Sequence, residues 1–96
     1  MNEIKKGEYY KHFKGKNIYK ILACNVIYTG TKVQEELNNL VVYQNIKDGK
    51  IFVREADELL QELEEEKQIQ YGQKYRIEKI SEDEAKEVIK ELEEER

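Results

Sequence analysis

Proline and tryptophan are missing from this 96-residue chain, and cysteine, histidine, methionine and serine occur once each. Each scarcity excludes something. Without proline no turn has its φ preset, so turns fall to glycine and asparagine. A lone Cys24 excludes an intramolecular disulfide. One histidine and one cysteine cannot build a zinc site, and there is no Cys-x-x-Cys pair. Ser81, the one serine, reads as a helix cap rather than a nucleophile. Cys24 lies among Leu22, Ala23 and Val26, where an inert thiol is the ordinary case. Gly15-Lys16 and Gly30-Thr31-Lys32 lack the upstream glycine of a phosphate-binding loop. No apolar run approaches the ~20 residues of a membrane span. The start, Met1 to Lys6, has no apolar region after its lysines, so no secretory leader is expected. The expectation is a cytoplasmic protein without membrane contact, metal or cofactor, and not an enzyme.

What is present is charge, distributed unevenly. Residues 1–54 carry ten Lys/Arg against five Asp/Glu, and residues 55–96 carry seven against sixteen. Seven of the nine aromatic residues lie in the basic part. Carboxylates are plentiful, but they fall on the solvent faces of predicted helices. A glycosidase-like pair would need one of them in an apolar pocket, and nothing in the sequence points to one.

Alternation predicts strands over 8–13, 18–29, 40–46, 50–54 and 74–80. The first would set Tyr10, His12 and Lys14 on one side, and Tyr9, Lys11 and Phe13 on the other. A tight turn is expected at Lys14-Gly15-Lys16-Asn17, and a polar loop from Gly30 to Asn39. Asp48-Gly49 is the strongest hairpin signal. Ala56, Leu59, Leu60 and Leu63 fall at helical spacing and predict a helix over about 55–66. Residues 68–73 read as a connection around Gly72. Ser81 with Glu84 forms a capping box, with Ile80 positioned to staple against Ala85. Ala85, Val88, Ile89 and Leu92 then predict a second amphipathic helix, near 82–95. The expected fold is mainly β, a small antiparallel SH3-like barrel with one or two amphipathic helices. Residues 1–80 would form the barrel domain with its inserted helix, and 81–96 a helical extension of it.

Four ordered blocks carry a resemblance. They are Tyr10-Lys11-His12-Phe13-Lys14-Gly15; Tyr19-Lys20-Ile21-Leu22; Leu40-Val41-Val42-Tyr43-Gln44; and Gly49-Lys50-Ile51-Phe52-Val53-Arg54. Over roughly residues 7–60, and around Tyr75 to Ile77, the chain resembles domain of unknown function 1653, a small bacterial and phage family. The resemblance implies a small β domain and assigns no activity. Glu55 stands where such proteins commonly carry a proline, Leu60 where they carry an aromatic, and Arg76-Ile77 where they carry arginine–phenylalanine.

The candidate ligand-binding residues are Tyr10, His12, Lys14, Tyr43 and Arg54. An arginine and a lysine can neutralise phosphate while a tyrosine stacks on a base. The leading expectation is therefore a non-catalytic module that binds an anionic, nucleotide-like small molecule. Single-stranded nucleic acid is open to the same physics, but the net charge of −4 counts against a long polymer. Each residue also has a plainer reading. His12 can fix its turn through its ring nitrogens, Arg54 can pair with Glu55, and Tyr10, Phe13, Tyr19, Tyr43 and Phe52 can form core and cross-strand pairs. The alternative is a protein-interaction or assembly module, with a peptide or host factor on the barrel groove or acidic helices. The last helix is expected to support a homodimer around Val88 and Ile89.

Overall fold

In this computed structural model the structure describes residues 3–14, 17–30 and 38–94. Gly15, central to the expected first turn, lies outside the described residues, as do positions 31–37 of the expected polar loop. Five strands form: β1 (Tyr9–His12), β2 (Ile18–Val26), β3 (Leu40–Asn45), β4 (Ile51–Glu55) and β5 (Ile77–Ile80). They make one antiparallel sheet in the order β4-β3-β2-β1-β5. The last strand returns to lie beside the first, pairing Tyr9 with Ile80 and His12 with Ile77. β4 and β5 remain as edges, so the sheet is not the closed barrel expected.

Local chemistry explains the hairpin between β3 and β4. Asn45 Oδ1 accepts the N–H of Lys47, and Asp48 Oδ1 accepts that of Lys50, both at 2.9 Å. Gly49 takes φ 74°, and its N–H closes the loop on the Asn45 carbonyl at 2.8 Å. β2 is bent by irregular pairing. Its register against β3 shifts between Ile21 and Ala23 and again before Val26, with Asn25 at φ 53°. Asparagine is among the few residues that tolerate this conformation, and bulges of this kind sharpen twist.

Pleating sorts the sheet into two faces. The inner face carries Tyr10, Ile21, Val41, Tyr43 and Ile77, which pack with Ile4 and with Ala56 and Leu59 beyond β4. The outer face carries Ile18 and Ile80, which pack with Ala85. That contact docks the last helix, α3 (Glu82–Glu94), on the sheet of its own chain, with Val88 against the same cluster. Ser81 Oγ accepts the Glu84 N–H at 3.1 Å, so the expected cap is present.

The helix expected over 55–66 is not continuous. It breaks into α1 (Ala56–Leu59) and α2 (Glu65–Tyr71). The cause is a competing extended pairing. Leu63 N–H bonds the Lys74 carbonyl at 2.8 Å, Arg76 N–H bonds the Gln61 carbonyl at 3.1 Å, and Glu62 bridges Tyr75. Leu59 and Leu63 are buried all the same. α2 runs through most of the expected connection and ends on Gly72 in the left-handed region, φ 67°.

Candidate functional site

β1 ends at His12, and Phe13 already belongs to the following turn. Alternation therefore fails one residue early. Instead of pointing away from His12, the Phe13 ring lies against it at 4.5 Å between centroids. On its other side His12 meets Tyr19 edge-on at 6.2 Å. Tyr19 meets Tyr43 at 5.1 Å, and Tyr43 stacks on Phe52 at 5.7 Å. Phe13 in turn meets Tyr71 of α2 at 5.2 Å. The result is a row of six rings that crosses the inner face from β4 to β1 and continues onto α2. Register makes it: Tyr43 sits directly opposite Phe52, and the Tyr19–Tyr43 contact is diagonal, since Tyr19 itself faces Asn45. Pairs of this kind contribute about 0.5–1.5 kcal/mol beyond burial.

Cations gather along the row. Lys14 Nζ stands 5.6 Å and Lys67 Nζ 5.7 Å from the Phe13 ring. Burial, followed by Arg76, Lys14 and Arg54, pushes the His12 ring below the ordinary histidine range, because each disfavours a further proton. The Tyr19 phenol is raised, chiefly by burial and then by Tyr43 and Asp48, while Arg54 pulls the other way. Both described arginines thus bear on the same histidine. Among the described residues neither has an ion pair, whereas Lys11, Lys74, Lys79 and Lys86 are paired with Glu78, Glu62, Glu8 and Glu82.

Of the five residues expected at the site, His12, Lys14, Tyr43 and Arg54 lie along this row. His12 Nδ1 accepts the Lys14 backbone N–H at 3.2 Å, which is the turn-fixing bond of its plainer reading. It leaves Nε2 as the protonated nitrogen and an uncharged donor. Tyr43 is 8% exposed and serves the row and the core together. Tyr10 is different. It is 3% exposed, packs in the inner core and donates its hydroxyl to Glu8 at 3.1 Å. Arg76, Lys67 and Tyr71 complete the row and were not expected. Arg76 arrives because its carbonyl accepts the Phe13 N–H at 3.0 Å, next to the β1–β5 pairing.

The row is open only at its ends, with Tyr43 and Phe13 buried and Tyr19 and His12 half-buried between Phe52 and Tyr71. Two concavities of about 580 and 610 Å³ lie elsewhere, one against Ile4, Cys24, Val41 and Leu60, the other against Glu8, Lys11, Ile77 and Lys79. Burial and Glu8 push the Cys24 thiol up, away from the thiolate that a nucleophile needs. Among the described residues no group of three His, Cys, Asp or Glu could hold a metal ion. No helix there is long and apolar enough to cross a membrane. What the row can do is stack flat rings, neutralise anions and donate hydrogen bonds.

No curated protein and no solved structure matches the chain. A family model does, over residues 8–79, so the likeness extends past the four blocks through α2 to β5. The chain belongs to the family described as Protein of unknown function (DUF1653).

Proposed function

We propose that this protein is a non-catalytic, cytoplasmic binding module that holds an anionic, nucleotide-like molecule on the aromatic row. One observation carries the reading. Arg54, Arg76 and Lys14 bear on a neutral histidine without a carboxylate partner among the described residues, beside rings that offer stacking surface. Guanidinium groups match phosphate geometry, and base–aromatic stacking tolerates any base. The lone, protonated Cys24 thiol suits a reducing compartment. Calorimetric titration with nucleoside monophosphates tests the reading. Wild-type protein should bind in the micromolar to millimolar range, and Arg54→Ala should bind at least tenfold more weakly with its melting temperature unchanged. Equal affinity of the two proteins would sink it. Mass spectrometry of small molecules carried through a native purification would identify the ligand.

A second reading has its own support. Ile51, Phe52, Val53 and Arg54 of edge strand β4 are all exposed. An edge of that kind can accept an extended peptide as an added strand. The SH3-like description of the fold, resting on five short antiparallel strands and a bent β2, belongs to this reading. Peptide-array binding that is lost in Val53→Lys and kept in Arg54→Ala would favour it.

A further inference from the structure

Within the nucleotide reading above, on which this inference rests, the geometry points to a ligand with two nucleobases joined through phosphate, one base stacked on Phe52 and the other on Tyr71. The six rings are not equally available. Tyr43 and Phe13 are buried, and Tyr19 and His12 are half-buried. Only the two ends of the row are open, Phe52 at 41% exposure and Tyr71 at 39%.

The ends are far apart. Phe52, Tyr43, Tyr19 and His12 stand on four successive strands, and three inter-strand spacings amount to about 14 Å. Tyr71 meets Phe13, which lies against His12 at the far end of that span. Neighbouring stacked bases rise only ~3.4 Å, so a stacked pair cannot meet both rings. A single base can occupy one end only. A splayed pair fits, with its bases on the two end rings and its phosphate over the middle.

The middle is built for that phosphate. Lys14 and Lys67 stand over the Phe13 ring beside His12, and the charges of Arg76, Lys14 and Arg54 each disfavour a further proton on that histidine. His12 adds an uncharged Nε2–H donor, because its Nδ1 is occupied by the Lys14 N–H. A bridging phosphate carries one negative charge and offers several acceptor oxygens, which this set of donors satisfies.

Calorimetry with AMP, the dinucleotide ApA and the decanucleotide (rA)10 tests the inference. ApA should bind at least tenfold more tightly than AMP, although AMP carries the greater charge, because the second base adds its own stacking. Phe52→Ala and Tyr71→Ala should each return ApA to the affinity of AMP. Each variant loses one ring pair, so a single cooperative melting transition that is only slightly lowered verifies its fold. The two possible sources separate in the third arm: an affinity for (rA)10 that equals that for ApA when expressed per dinucleotide step marks a free dinucleotide, and a tighter one marks a single strand. AMP binding as tightly as ApA would overturn the two-base ligand and leave the nucleotide reading standing. An absence of binding by both would remove the two together.

Discussion

Nδ1 of His12 accepts the backbone N–H of Lys14, so the one imidazole in the chain closes the turn that follows its own strand. That bond exists only while Nδ1 is unprotonated. Stability must therefore depend on the protonation of His12. The ring is depressed below its ordinary 6.5 in the folded protein. Below about pH 6.5 the unfolded chain binds the proton more readily than the folded one, so stability falls as pH drops from 6.5 toward the depressed value. Chemical denaturation at pH 7.5 and pH 5.5 should show a lower midpoint in acid. His12→Asn, whose side chain can still accept a nearby N–H, should flatten that difference. An identical pH dependence in the variant would place the effect elsewhere.

Acid has a second, separate target. Burial would raise the Glu8 carboxyl, but Lys79, the Lys5 N–H and Tyr10 outweigh it and hold the group below 4.5. Its contribution is present above pH 4.5 and fades as pH falls below that value. Glu8→Gln should lower the midpoint by the same amount at pH 5.5 and 7.5, leaving the slope between them intact, and should flatten the denaturation profile near pH 4 and below.

Tyr10 separates core from site. Its ring is buried beside Ile21 and Ile77, and burial followed by Glu8 pushes its phenol far up. Tyr10→Phe loses one hydrogen bond and should cost about 1 kcal/mol. Tyr10→Ala opens a cavity and should cost about 3–5 kcal/mol. Thermal denaturation measures both, and nucleotide affinity should be unchanged in Tyr10→Phe.

Gly49 offers a clean test of backbone strain. At φ 74° a side chain is disfavoured, yet an added Cβ would meet only Gln44 Nε2 at 4.0 Å. Gly49→Ala should therefore cost about 1 kcal/mol through conformation alone. No change in the denaturation midpoint would show that the loop can re-form without the left-handed residue.

The last helix predicts the state of association. Ala85 is fully buried against Ile18 and Ile80, and Val88 packs beside it. Ala85→Asp should destabilise by about 3 kcal/mol or more, since it buries an unpaired carboxylate. Light scattering at micromolar concentration should give the 11.5 kDa monomer. A species of twice that mass, dissolved by Ile89→Lys, would instead put the outer side of this helix in the expected dimer.

The strands were legible because pleating leaves a period-two trace, and the Asp48-Gly49 hairpin because its loop chemistry is local. The interrupted helix was not. Ala56, Leu59 and Leu63 are buried as helical spacing requires, but the spacing reports burial and cannot see the Lys74–Arg76 segment that pairs with Gln61–Leu63. Phe13 was misplaced for a related reason: alternation in the sequence runs on through Lys14, while the strand stops at His12. His12, Lys14, Tyr43 and Arg54, which lie along the ring row, could be named as candidates from side-chain chemistry alone. Tyr10 shares a face with His12, but depth along a strand is a tertiary property. Arg76 and Tyr71 reach the row only through a long-range pairing and a helix that the sequence presents as a connection.

That long-range pairing sets the order of events during synthesis. β1 lies between β2 and β5, yet about 70 residues separate Tyr9 from its partner Ile80. At cellular elongation rates β1 waits roughly 4–14 s for its second neighbour. Until then Tyr9 and Lys11 keep their backbone groups unmatched, and Phe13 lacks the Arg76 carbonyl that holds its amide. β1 to β4 can pair before β5 is made, so the contacts of Phe13 with Tyr71 and Arg76 are the part of the ring row assembled last.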